Sequence, residues 1–183
     1  MSVLEEMDQA AAAVRLPHLE RLKELGVPYA KLAELNAEQH TVGVARVTDA
    51  GGGLFGYAAE GFGACLVAAV DRWRMPDEAG VFDIIAFSPG KPERWWGRRG
   101  LAFALGDHLL DLDEPVHVVA TPVQWLACGG DALVILDWSL RSPVWSALRR
   151  GPSLQFDNDE LRFKVRNMLV QAAPMPPMET LCA

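Results

Sequence analysis

VFDIIAFSPGKPERWWGRRG, residues 81–100, is the stretch whose reading decides the fold. Val81 to Phe87 is a short run of β-branched and aromatic residues closed by Ser88-Pro89-Gly90, the pattern of a core strand ending in a turn. The next ten residues are basic and carry two adjacent tryptophans: Lys91, Arg94, Trp95, Trp96, Arg98 and Arg99. A strand that feeds straight into such a segment leaves room for a hairpin and not for a crossover helix. Its neighbours should therefore be antiparallel.

Upstream, the same texture recurs. Thr41 to Val47, Leu54 to Ala59 and Cys65 to Trp73 read as further strands, with Thr48-Asp-Ala-Gly-Gly-Gly as a turn and Met75 to Gly80 as a breaker. Downstream, Trp95 to Leu105 would continue the meander. Before residue 40 the period is helical. Ser2-Val3-Leu4-Glu5 has the capping-box pattern and opens a helix to about Val14. Pro17 begins a second helix that Gly26 ends, and a third runs from Pro28 to about Asn36.

The last third alternates strand and helix. Val116 to Ala120 is β-like, Thr121-Pro122 opens a helix ending at Gly129-Gly130, and Ala132 to Trp138 is the strongest buried strand. Ser142-Pro143 starts another helix, and Asp157 with Glu160 makes a capping arrangement for a last one to about Gln171. The fold class is α+β: N-terminal helices, a largely antiparallel β-meander and a small C-terminal α/β unit. One domain over 1–173 and a flexible proline-bearing tail, 174–183, are expected.

Composition bounds the function classes. Half of the 183 residues are apolar and 22% are charged, an ordinary globular balance. The acidic start lacks the basic and apolar blocks of a signal peptide, and the longest uncharged run is too short to span a bilayer. Three cysteines (Cys65, Cys128 and Cys182) give an odd count without CxxC, so no disulfide framework is expected and the location reads as cytoplasmic. No His, Cys or carboxylate pair has metal-ligand spacing, and no cofactor is expected.

A net charge of −7 argues against a general nucleic-acid binder, but two basic islands stand out. Residues 91–100 carry four cations against one acid, and 141–150 carry Arg141, Arg149 and Arg150 with none. All six tryptophans lie between 73 and 145. The expected function is a non-enzymatic binding or interaction module. Its anionic partner would be an acidic protein surface or single-stranded nucleic acid, met by Lys91, Arg94, Trp95, Trp96, Arg98 and Arg99 on a 91–99 loop, with Arg149 and Arg150 beside it.

Three other constellations have a bland reading next to the chemical one. Gly51-x-Gly53-x-x-Gly56 with Asp71 has dinucleotide-site spacing, but too little chain follows Gly56 for the helix such a site needs, so a glycine-rich hairpin turn is expected. Cys128 with His108 and His117 nearby in sequence would make a thiol nucleophile, against a cysteine simply buried on an apolar helix face. Asp83 and Asp137, which interrupt or end the two most apolar strands, together with His117 would line the cleft of a small hydrolase-like enzyme. The chain leans away from that alternative.

Overall fold

The computed structural model describes residues 2–37, 41–71 and 80–172. Most of the Met75 to Gly80 breaker and the 174–183 tail lie outside these residues.

Three helices come first: α1 (Val3–Ala12), α2 (Leu16–Glu24) and α3 (Tyr29–Leu35). Both halves of the Ser2 capping box form, with the Glu5 amide donating to Ser2 Oγ at 3.2 Å and the Ser2 amide to Glu5 Oε2 at 2.7 Å. Five strands come next: β1 (Val42–Gly51), β2 (Leu54–Tyr57), β3 (Phe62–Asp71), β4 (Gly80–Ser88) and β5 (Lys91–Gly97). Antiparallel pairing runs from β2–β1–β3 through β4 to β5; short turns account for β1–β2 and β4–β5, whereas β3 pairs with β1 and not with β2, which precedes it. One parallel contact, Leu54 beside Gly97, then joins β2 to β5 and closes the sheet into a barrel. Closure removes both open edges.

Gly51, Gly52 and Gly53 all have positive φ (85°, 62° and 78°) and form the β1–β2 turn. Leu54–Tyr57 is a strand, so GGGLFG opens no helix and offers no dinucleotide cradle. The 91–99 segment, expected as a loop, is a strand as far as Gly97. Its continuation does not extend the meander either, because the next strand belongs to a second sheet.

That sheet is the C-terminal unit. In chain order it has β6 (Ala104–Leu105), a 3-10 turn over Asp107–Asp111, β7 (Val116–Val119), α4 (Pro122–Ala127), β8 (Leu133–Ile135), α5 (Val144–Arg150), β9 (Leu154–Phe156) and α6 (Asp159–Gln171). The strand order is β6-β8-β7-β9, with β7 parallel to both β8 and β9. Thr121 caps α4 as its sequence indicates, accepting from the Gln124 amide. The cap of α6 is Asn158, accepting from the Leu161 amide at 2.8 Å, and not Asp157. Leu154–Phe156 is not legible as a strand in the sequence because three residues show no period.

Three cores result. The first draws on all five barrel strands, through Val47, Phe55, Leu66, Ile84 and Trp96 among others, and is sealed by Val3, Met7 and Ala10 of α1. It is the barrel lumen. A Cβ on Gly43 would sit 2.7 Å from the Ala10 Cβ, so only glycine lets α1 lie this close to β1. The second core lies outside the barrel, where Val42, Cys65, Val67, Ile85 and Phe87 meet Leu22 and Leu32 of the N-terminal helices. Val123 and Leu126 of α4 and Val134 of β8 complete it, so barrel and C-terminal unit share it. The third lies between the small sheet, α5 and α6. Leu133 and Ile135 face this third core while Val134 and Leu136 face the second, so the central strand β8 is covered on both sides. No helix among the described residues is long and apolar enough to cross a membrane.

Candidate functional site

Adjacent residues on a strand face opposite ways, and on β5 Trp95 and Trp96 obey. Trp96 enters the lumen, 8% exposed, with its ring centroid 5.3 Å from that of Phe62. Trp95 is half-buried against the second core, and its Nε1 donates to the Leu136 carbonyl at 3.2 Å. Each ring has a core of its own, so neither is presented as a stacking platform.

Arg98 is engaged as well. Its Nε and one terminal nitrogen donate to both carboxylate oxygens of Glu6 on α1, at 2.8 and 3.2 Å. Glu6 is only 7% exposed. The guanidinium also lies 5.4 Å from the centre of the Tyr57 ring. The Glu6 carboxylate raises the Arg98 pKa, and burial raises the Tyr57 hydroxyl's. Arg98 therefore latches the lumen helix to the barrel. Arg94 stands over the Trp96 ring at 5.4 Å, and lies near Asp49. The Gly51 amide, with lesser help from the Trp96 indole, lowers the Asp49 pKa. Lys91 and Arg99 remain as exposed side chains with no ion pair among the described residues.

The second island sits on α5, in the C-terminal unit. Arg149 donates to the Leu169 carbonyl near the end of α6 at 2.7 Å, and Arg150 to the Ser146 carbonyl in its own helix at 3.3 Å. Arg149 thus satisfies a carbonyl where the α6 dipole is negative.

The carboxylates have separate partners. Asp83 is fully buried and accepts four backbone amides: Ile84 and Arg99 at Oδ1, both at 2.8 Å, and Leu101 and Ala102 at Oδ2, at 2.7 and 3.0 Å. It folds the segment after β5 back onto β4. The sequence suggests a cleft for such an aspartate, and the partners it takes are instead main-chain donors with no signature of their own. Asp137 closes a turn by accepting from the Ser139 amide at 2.9 Å and its hydroxyl at 3.2 Å.

His117 has the most chemical character. Its Nε2 is 2.8 Å from Asp157 Oδ1, and its Nδ1 is 3.9 Å from Cys128 Sγ. The β7–β9 register sets this row by placing His117 beside Gln155, two residues before Asp157. Partial burial, with Asp157 and Asp131 nearby, raises the Cys128 pKa. The backbone amides just after it, of Gly129, Gly130 and Asp131, all donate to carbonyls of the same helix end. A thiol held protonated, at a helix C-terminus and without free amides for an oxyanion, is poorly equipped as a nucleophile. Among the described residues no group of three or more His, Cys, Asp or Glu is arranged to hold a metal ion.

The fold and these residues define an α+β protein with a closed barrel and a small α/β unit on one shared core. Compared with known proteins, the chain matches no family model, no curated protein and no solved structure.

Proposed function

We propose that this chain is a non-enzymatic binding module whose anionic partner is an acidic protein surface. Lys91, Arg94 and Arg99 would make the contact, and Arg149 and Arg150 would form a second, supporting basic surface. The observation that carries the reading is the division of labour on β5 and just after it. Both tryptophans and Arg98 are packed or paired, while Lys91 and Arg99 stay exposed and unpaired among the described residues. Single-stranded nucleic acid is the less favoured partner, because base stacking needs an open aromatic face and Trp96 is buried.

The test is fluorescence anisotropy at low salt with two labelled probes, a polyglutamate peptide and an oligothymidylate. The reading expects the peptide to bind, to weaken as salt shortens the screening length to about 8–10 Å, and to be released by Lys91→Glu/Arg99→Glu. Absence of peptide binding, or binding that survives the charge reversal, overturns it. Preferential oligonucleotide binding would move the partner to nucleic acid.

The hydrolase-like alternative has its cleft at Asp83, Asp137 and His117, but those aspartates hold backbone amides and a turn. An enzymatic reading therefore falls back on the separate thiol candidate, Cys128 beside His117 and Asp157. It requires the thiol to react as a thiolate near neutral pH, which the raised Cys128 pKa opposes.

A further inference from the structure

On the outer face of the barrel, between α2 and strands β1 and β3, lies a trough of about 490 Å³. That is the size range of small-molecule sites. Its floor is made by Val44, Gly63 and Cys65, which lie on adjacent strands in register: Val44 beside Cys65, and Arg46 beside Gly63. Cys65 is fully buried, and burial pushes its thiol from 9.0 up to about 12, so the floor is uncharged.

Among the described residues, three cationic or donor side chains and no carboxylate line the same space: His18, Arg21 and Arg46. Arg21 crosses the mouth, donating to Glu24 at 2.7 Å and to the Pro89 carbonyl of the β4–β5 turn at 3.2 Å. His18 Nδ1 accepts the Arg15 amide at 3.0 Å, which leaves the Nε2–H of the neutral ring as a donor. Arg46 is exposed and has no ion pair or hydrogen-bonded partner for its side chain among the described residues. An apolar floor with a free guanidinium at its rim fits an occupant with an apolar body and an oxyanion head, of which a carboxylate is the simplest.

We infer that the trough binds a small amphipathic carboxylate, its chain along Val44, Gly63 and Cys65 and its head at Arg46. The trough uses none of Lys91, Arg94 and Arg99, although Pro89 at its mouth lies two residues before Lys91, and the inference does not rest on the protein-partner reading.

Gly63 supplies a clean test. A Cβ built there meets nothing within 4 Å, and its φ is not in the left-handed region, so Gly63→Leu fills the trough without strain. Isothermal titration calorimetry would compare octanoate, octanol and acetate on wild type, Gly63→Leu, Arg46→Gln and Arg99→Glu. Circular dichroism would verify that each variant is folded.

Octanoate should give one saturable site on wild type, with no saturable heat from acetate and at least tenfold weaker binding of octanol. Arg46→Gln should weaken octanoate about tenfold, the scale of one charged hydrogen bond, and Gly63→Leu should abolish binding. Arg99→Glu should leave it intact, which separates this site from the protein-partner surface. No saturable octanoate heat on wild type, equal affinity for octanol, or undiminished binding by folded Gly63→Leu overturns the inference. So does a sedimentation shift showing a dimer that Gly63→Leu dissociates, since a second copy would then be the occupant.

Discussion

Replacing Asp83 should cripple the fold without touching an apolar contact. Its carboxylate receives four main-chain donors, two per oxygen, and the side chain has no contact with water. Arg99 and Leu101 are exposed, so water would replace the aspartate at their amides. The Ile84 and Ala102 amides are buried, and each would be left unsatisfied in Asp83→Ala. An unsatisfied buried donor costs about 1–3 kcal/mol, so the loss should be about 2–6 kcal/mol, a large share of a typical domain's stability.

Asp83→Asn is the sharper variant because it keeps shape and one oxygen. Each carboxylate oxygen serves one of the two buried amides, so whichever way the amide turns, its NH₂ points at a buried donor. The cost should be about 2–4 kcal/mol and not the near-neutral value of an isosteric exchange. Urea unfolding monitored by tryptophan fluorescence gives the stability. Hydrogen exchange at the Arg99, Leu101 and Ala102 amides shows whether the lost anchor is local. A loss under about 1 kcal/mol for Asn, or unchanged exchange at those amides, would refute the reasoning.

Two further outcomes rest on the same kind of geometry. Arg98→Ala strands the buried Glu6 carboxylate and should cost about 2 kcal/mol, below the fully buried figure because a third of the Arg98 side chain is exposed. The Arg98→Ala/Glu6→Gln double variant should recover part of that loss in the same denaturation experiment. In the native protein, iodoacetamide at pH 7 should leave Cys65 unlabelled and modify Cys128 slowly, with mass spectrometry giving the sites. Because the folded Cys65 value lies above the unfolded one, its contribution to stability is intact below about pH 9 and fades as pH rises towards 12.

Local chemistry makes much of the fold legible in the chain itself. Ser2 with Glu5 and Thr121-Pro122 each carry their own capping partner within three residues, so the helix starts they mark form as expected. The seven-residue run ALVILDW is apolar on both alternating faces, and only a strand covered twice can bury it. Short turns make β1–β2 and β4–β5 antiparallel hairpins, which is why the antiparallel class is visible in the sequence.

The features that escape the sequence depend on partners far along the chain. Barrel closure rests on one parallel contact between Leu54 and Gly97, 43 residues apart, and neither residue has a pattern that announces it. Trp95 and Trp96 look like an exposed aromatic pair until two cores, one inside the barrel and one outside, each take a ring. Arg98 counts as a free cation until α1 brings Glu6 across from 92 residues away. The same is true of His117, which meets Asp157 and Cys128 only because β9 pairs beside β7 and α4 returns its end over that sheet. Propensity, capping and alternation act over a few residues, and the sequence determined whatever they govern. Register, closure and charge pairing are set by loop-closing contacts between distant segments, so tertiary structure alone decided which basic and aromatic residues remain at the surface.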